Sequence, residues 1–275
     1  MNIDFFMMQG AGNRIMVVDR RNDEITPPSA AQLRLLGNAT TGPGFDQLMW
    51  ITPADDSSLH ANYRVFNADG SEVEQCGNGV RCVARVIARG TSEREFQLEG
   101  PVGVVEARLL ADNSVSVSMG PPEFEPAKIP FIADLKSDLY SLEVSGAEFD
   151  VSVLSMGNPH CVLQVADTDT TDVGELGPAV ETHERFPART NVGFMAIRGR
   201  DAIDLRVHER GVGETRACGT GACAAVVAGQ RLGHLSHTVT VSLPGGQLVV
   251  SWRGGAEPVW LTGNAEFTSE ESIDL

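Results

Sequence analysis

The chain is 275 residues long, with 42% hydrophobic and 21% charged residues, enough apolar material for two cores of ordinary size. Its formal net charge of −16 argues against nucleic acid or an anionic membrane surface as partner, and no apolar run of about 18 residues is present to span a bilayer. Five cysteines, an odd count lying in or near glycine-rich helix starts and strands, do not make a disulfide framework; with no signal peptide in MNIDFFMMQGAGN, the expected location is a reducing cytoplasm.

In chain order, residues 1–20 read as a strand, a glycine turn at Gly10–Gly12 and a second strand, IMVVD. Pro27 to Leu36 is a predicted helix, with Ser29 as its cap and Leu33 and Leu36 on one face. TGPGFDQLMWITP is a glycine-proline loop feeding a strand, and NYRVFNADGSE is a strand ending in an Asp-Gly turn. The segment VRCVARVIAR then places Val80, Val83, Ala84, Ile87 and Ala88 at helical spacing. FQLEG, GVVEARLL and SVSVSMG alternate as amphipathic strands. The proline-rich, aperiodic PPEFEPAKIPF reads as a linker. Beyond it come strands near 140–145 and 151–165, a short helix at Leu176–His183, a strand at Asn191–Ile197, the strand AIDLRVHER, a second buried helix after Cys218, and strands ending near Leu261. Strands dominate with one prominent helix per half, which is the α+β class.

Two stretches stand out. NADGSEVEQCGNGVRC places Cys76 at the mouth of a helix, with Gly77, Asn78 and Gly79 as its first turn. ERGVGETRACGTGACA repeats the plan about half a chain later, with Cys218 followed by Gly219, Thr220 and Gly221. Aligned on the cysteines, Glu72 falls on Glu214 and Cys82 lies near Cys223. QGAGN, ending at Asn13, and SMGN, ending at Asn158, pair in the same way. Free N–H groups and the positive end of the helix dipole gather at such starts, where they bind anions and favour thiolate over thiol.

Four readings fit these cysteines. They can be core residues; Cys82, Cys161 and Cys223 suit that role. They can bind metal, although Cys-x5-Cys and Cys-x4-Cys are not the usual zinc spacings. One can be a nucleophile with a histidine base, which leaves the duplication unexplained. Or the two thiols can be an acid–base pair on opposite faces of one carbon, one removing a proton while the other delivers one. The duplicated plan suits that symmetric task.

NADGSEVEQCGNGVRC, SMGNPHC, ERFPARTNVGF and ERGVGETRACGTGACA, together with FDQL and LPGG, closely resemble the diaminopimelate epimerases over nearly the whole chain. The resemblance implies cofactor-independent epimerisation of LL-2,6-diaminopimelate to meso-diaminopimelate, on the route to lysine and peptidoglycan, with neither pyridoxal phosphate nor a metal. It implies two pseudo-symmetric domains, each a curved, mostly antiparallel sheet wrapped around a central helix, with the active site in the interdomain cleft. Residues 1–120, joined by a C-terminal strand at 265–275, would hold Cys76; residues 121–264 would hold Cys218; and the protein would be a homodimer. By position, Cys76 and Cys218 would be the acid–base pair, with Gly77, Asn78, Gly219 and Thr220 cradling the reacting carboxylate. Asn13, Gln47, Asn67, Asn158, Asn191, Glu209 and Arg210 would bind the rest of the substrate, and His160 and Glu209 would tune or orient the thiols. Arg14 stands where an aspartate is usual, and His208 takes a usually aromatic position expected to matter little. The alternatives are a racemase or epimerase of another amino acid in the same superfamily, or a thiol redox or metal-binding protein.

Overall fold

A computed structural model describes residues 2–23, 25–73 and 77–274. Cys76 lies outside the described residues. The strands of the first part are β1 (Asn2–Gly10), β2 (Asn13–Asp19), β3 (Gln47–Thr52), β4 (Ala61–Asn67), β5 (Glu72–Val73), β6 (Glu95–Gly100), β7 (Gly103–Leu109) and β8 (Val115–Ser118), with helices α1 (Ala30–Gly37) and α2 (Gly77–Ile87). The remainder holds β9 (Tyr140–Val144), β10 (Ala147–Ser155), β11 (Pro159–Gln164), β12 (Asn191–Gly199), β13 (Ala202–Glu209), β14 (Gly213–Thr215), β15 (Thr238–Leu243), β16 (Gly246–Ser251), β17 (Trp260–Gly263) and β18 (Glu266–Asp274), with α3 (Val173–Glu181) and α4 (Gly219–Arg231). Among the described residues no helix is long and apolar enough to cross a membrane.

Two compact units result: Met1–Ser118 with Thr262–Leu275, and Met119–Leu261. Their pairing schemes repeat. In the first unit β1 pairs antiparallel with β2, β2 parallel with β3, β3 antiparallel with β4, and β4 parallel with β6. In the second, β10 pairs antiparallel with β11, β11 parallel with β12, β12 antiparallel with β13, and β13 parallel with β15. The outer neighbour is β18 against β1 in one and β9 against β10 in the other. The aligned acids confirm the register. Glu72 lies opposite Phe66 and takes a bidentate pair from Arg64; Glu214 lies opposite His208 and takes one from Arg206.

Each sheet is covered on both faces. In the first unit α1 closes one core with Leu33 and Leu36 against Phe5, Met16, Leu48 and Trp50. The other face packs on α2, which touches β1, β2, β3, β7 and β8. In the second unit Val173 and Val180 of α3 join a core with Val151, Val153, Cys161, Leu163 and Phe194, and α4 lies against β10 to β13 and β16. Burial on both faces explains the unbroken run Ile15-Met16-Val17-Val18, all of it buried. α4 is buried from Gly221 to Gly229, as a helix enclosed by a curved sheet must be.

Several boundaries differ from expectation. α1 begins at Ala30, not Pro27, because Ser29 forms a capping box with Gln32. α3 begins at Val173, three residues early, where the Asp172 side chain accepts from Glu175 N–H at 3.0 Å. The proline-rich segment is not a linker. Ile129 and Phe131 are buried in the core of the second unit, after a single 3₁₀ turn at Pro126–Lys128.

Candidate functional site

In the second unit Cys218 is the N-cap of α4. Its backbone is extended, and its sulfur accepts from Gly221 N–H at 3.4 Å and lies 3.5 Å from Thr220 Oγ1. Gly221 is tightly enclosed: a Cβ there would sit 3.0 Å from Val207 and 3.3 Å from the Cys218 sulfur, so those neighbours would have to give way. The thiol is almost fully buried, and burial pushes its pKa well above the ordinary value. The negative charge of Glu209, which also accepts the thiol hydrogen, pushes the same way, while Thr220 and Gly221 N–H pull back. The helix start alone therefore does not decide the state of the Cys218 thiol. Desolvation and a neighbouring carboxylate outweigh one cap and the dipole.

Glu209 is itself fixed by the Thr215 hydroxyl, which donates to its Oε1 at 2.5 Å. Asn158, in the turn between β10 and β11, donates its amide to Thr220 Oγ1 at 3.4 Å and meets His160 Nε2 with its oxygen at 3.0 Å. His160 thus acts on the thiol's surroundings through Asn158 and Thr220. Burial, with the Arg210 charge adding to it, lowers the His160 pKa to about 3. The ring is neutral, so Nε2 carries the hydrogen donated to Asn158 Oδ1. Asn191, opposite His160 on the parallel neighbour, uses its amide group on Pro159 O at 2.9 Å and its oxygen on Arg210 N–H at 3.0 Å. It holds the site together, with one hydrogen and one lone pair left over. Arg210 donates Nη1 to Ala188 O at 3.1 Å.

The His160 burial has a thermodynamic consequence. The folded-state pKa lies below the unfolded value of 6.5, so only the unfolded chain takes up a proton as the pH falls between 6.5 and about 3. Stability is unaffected above that window and declines within it, by about 3 kcal/mol at pH 4.5 from this residue alone. Thermal unfolding at pH 7 and pH 4.5 checks this: the parent should lose distinctly more stability on acidification than His160→Gln. Equal losses would refute it.

The first unit brings its candidates to one end of its sheet. Asn13 opens β2 and faces Gly10 across the hairpin. Gln47 opens β3 beside Ile15 and opposite Asn67, and its amide donates to Asn67 Oδ1 at 3.3 Å. Asn67 also shapes its own turn, donating to Ser71 Oγ at 3.1 Å. Gly77 and Asn78 form the first turn of α2, with the Asn78 carbonyl close to Gly10. Arg14, the unusual residue, anchors this end: its backbone N–H donates to Asp46 and its guanidinium to Pro43 O.

Sequence reasoning passed over two groups. Arg81 is fully buried and donates to Asn78 Oδ1 at 2.8 Å, Gly77 O at 3.4 Å and Asn264 O at 3.4 Å, so a guanidinium braces the first turn of α2. The signal was available: a cation three residues after Asn78, on the same face of the helix. His208 is not inconsequential either. It is buried, and its Nε2 lies 2.7 Å from Glu181 Oε2. The three remaining cysteines, Cys82, Cys161 and Cys223, are fully buried core residues.

The Cys218 environment gives a direct prediction. Glu209→Gln removes the negative charge that, after burial, holds the thiol pKa up, so more thiolate is present at any given pH. Methyl methanethiosulfonate should modify Cys218 several-fold faster at pH 7.5 in this variant than in the parent, read by mass spectrometry of the Cys218 peptide. An unchanged rate would mean that Glu209 does not govern the thiol.

The family model described as diaminopimelate epimerase matches residues 5–125 and 152–268. A protein of Laribacter hongkongensis named diaminopimelate epimerase is 51% identical over the whole of both chains, and one of Chromobacterium violaceum with the same name is 47% identical, again end to end. Among solved structures, a hydroxyproline epimerase from Agrobacterium vitis superposes with a TM-score of 0.67 at 16% identity, covering 99% of this chain and 92% of that one. A Bacillus anthracis protein of the PhzF family gives 0.68 at 14% over the whole of both chains. These two likenesses concern the fold. The end-to-end identity with named relatives, on top of the family match, shows that the chain belongs to the diaminopimelate epimerase family.

Proposed function

We propose that this protein interconverts LL- and meso-diaminopimelate by a two-base mechanism in which Cys76 and Cys218 serve opposite faces of the α-carbon. The observation that carries this reading is the Cys218 thiol: buried, capping a helix, and set against the first-turn Gly221 N–H and the Thr220 hydroxyl. The repeated motif supplies the counterpart at Cys76. In one direction Cys76 as thiolate removes the α-hydrogen while Cys218 delivers its proton to the other face. In the return direction Cys218, left as the thiolate, removes the α-hydrogen while Cys76, now the thiol, delivers its proton to the other face. Charge developing on the substrate carboxylate in the transition state is met by the first-turn N–H groups of the two helices, at Gly77 and Asn78 and at Gly219 and Thr220. Asn13, Gln47, Asn67, Asn158, Asn191, Glu209 and Arg210 are assigned to the remaining polar groups of the substrate.

No step in this scheme uses pyridoxal phosphate or a metal. Residues 1–120 with 265–275, and residues 121–264, would each contribute one thiol. The family resemblance adds a cytoplasmic location and a homodimer, the latter open to sedimentation equilibrium. The test of the activity is α-hydrogen exchange. In heavy water, LL-diaminopimelate should give meso product carrying solvent deuterium at the inverted centre from the first turnovers. Failure to exchange or to form the meso isomer would refute the assignment.

A further inference from the structure

We propose that Glu181 is a positioning residue for the reaction, holding from beneath the turn that presents Glu209 and Arg210. The inference rests on the reading that these two residues act on the thiol and the substrate, and it assigns a role to a side chain that touches neither.

Glu181 is the last residue of α3, and its carboxylate is almost entirely buried. A buried carboxylate persists only where hydrogen bonds replace its hydration. Here they come from three directions. His208 Nε2 lies 2.7 Å from Oε2, Gly211 N–H donates to Oε1 at 2.9 Å, and Arg189 Nη1 donates to Oε1 at 3.4 Å. Burial alone would raise the Glu181 pKa, but the bonds from His208 and Gly211 outweigh it and hold the group below its ordinary range, so the carboxylate is ionised.

Two of these bonds act on the segment that matters. His208 and Glu209 are successive residues of β13, and successive strand residues point to opposite faces. Glu181 therefore anchors the strand on the α3 face, while Glu209 reaches Cys218 from the other. At the next turn Val212 N–H closes on Glu209 O at 3.0 Å. The two consecutive amides inside it are each gripped by a side chain from elsewhere, Arg210 N–H by Asn191 Oδ1 and Gly211 N–H by Glu181 Oε1. A turn clamped at two neighbouring amides and at the preceding side chain has little freedom to rotate. The approach of α3 to β13 is built for this contact: a Cβ at Gly177 would stand 2.6 Å from His208 Cγ, so a glycine is needed for the helix to come close enough. Misplacement of a reacting group by about 1 Å can cost about 10²-fold in rate.

The test compares Glu181→Leu, Glu181→Gln and His208→Phe with the parent, all well below their melting temperatures. Glu181→Gln keeps an oxygen for Gly211 N–H and should stay within about fivefold of the parent in kcat/KM for LL-diaminopimelate. Glu181→Leu should lose about 10²-fold or more, with both kcat and KM affected. His208→Phe removes one arm only and should fall between, which keeps the idea testable if the leucine variant does not fold. A second readout needs no substrate. If Glu181→Leu displaces Glu209, the pH profile of Cys218 modification by methyl methanethiosulfonate should shift to lower pH, in the direction expected for Glu209→Gln. A folded Glu181→Leu with a lower Tm but parental kcat/KM and a parental Cys218 profile would overturn the proposal, leaving Glu181 a purely structural residue. A shifted Cys218 profile in a protein whose parent does not act on diaminopimelate would instead sustain the positioning of Glu209 and refute the assigned substrate.

Discussion

Replacing Cys218 by alanine should lower the conversion of LL- to meso-diaminopimelate by at least about 10³-fold while leaving the second unit folded. A positioned acid or base contributes typically about 10²–10⁴-fold, and the two-base scheme gives Cys218 a task in each direction, as acid in one and base in the other. Structural damage should be small. The substitution removes one sulfur from the start of α4 and with it the bond from Gly221 N–H; losing a helix cap typically costs about 1 kcal/mol. The first turn at Gly219 and Thr220, which would bind the carboxylate, keeps its backbone. KM should therefore move much less than kcat, the pattern expected when an interaction made only in the transition state is lost. Cys76→Ala should show the same loss, because the two-base scheme gives each thiol its own face of the carbon. Chiral chromatography of timed samples gives the rates, and thermal unfolding checks the fold. Turnover within tenfold of the parent in either variant would end the two-base account.

Much of this arrangement was legible in the sequence, for reasons that lie in particular residues. The repeat of Cys-Gly-polar-Gly is visible because a helix start packed this closely favours residues without side chains, as the 3.0 Å approach of Val207 to a Cβ at Gly221 illustrates. The acids aligned by that repeat, Glu72 and Glu214, occupy equivalent register positions opposite Phe66 and His208. The wrapping of each sheet around a helix was not legible from periodicity. Strands such as Ile15-Met16-Val17-Val18, buried on both faces, lose the alternation that identifies a half-exposed strand. That part of the fold came from the family resemblance.

What stayed hidden depends on contacts far apart in sequence. Ile129 and Phe131 sit in a proline-rich, aperiodic run, and nothing local marks them as core. The asparagine at 191 reads as a ligand group, yet half of its hydrogen-bonding capacity goes to Pro159 O and Arg210 N–H. Glu181 and His208 are 27 positions apart, and each looks like an ordinary surface residue until α3 is laid against β13. The state of the Cys218 thiol is hidden for a related reason. The cap and dipole can be read from the motif, whereas the burial and the Glu209 charge that outweigh them come from tertiary packing.

The specificity of the enzyme should lie in the distal half of its substrate. L-Lysine differs from LL-diaminopimelate by the absence of the distal carboxylate, so the parent should favour diaminopimelate by about 10⁴-fold or more in kcat/KM, as expected of a site that leaves buried polar groups unpaired around the wrong substrate. Arg210 is the residue assigned to that carboxylate. Its backbone N–H is held by Asn191 and its Nη1 by Ala188 O, so its placement is largely set before the substrate arrives and little further entropy is lost on binding. A charge-assisted hydrogen bond contributes about 1.5–3 kcal/mol, and a bidentate pair more. Arg210→Met should therefore reduce kcat/KM for LL-diaminopimelate by about 10²-fold or more while barely changing the low value for L-lysine, so the ratio between the two substrates narrows by the same factor. Measuring both constants in both proteins decides the matter. Comparable parent values for the two substrates, or an Arg210→Met variant that loses equally on both, would show that this guanidinium does not read the distal carboxylate.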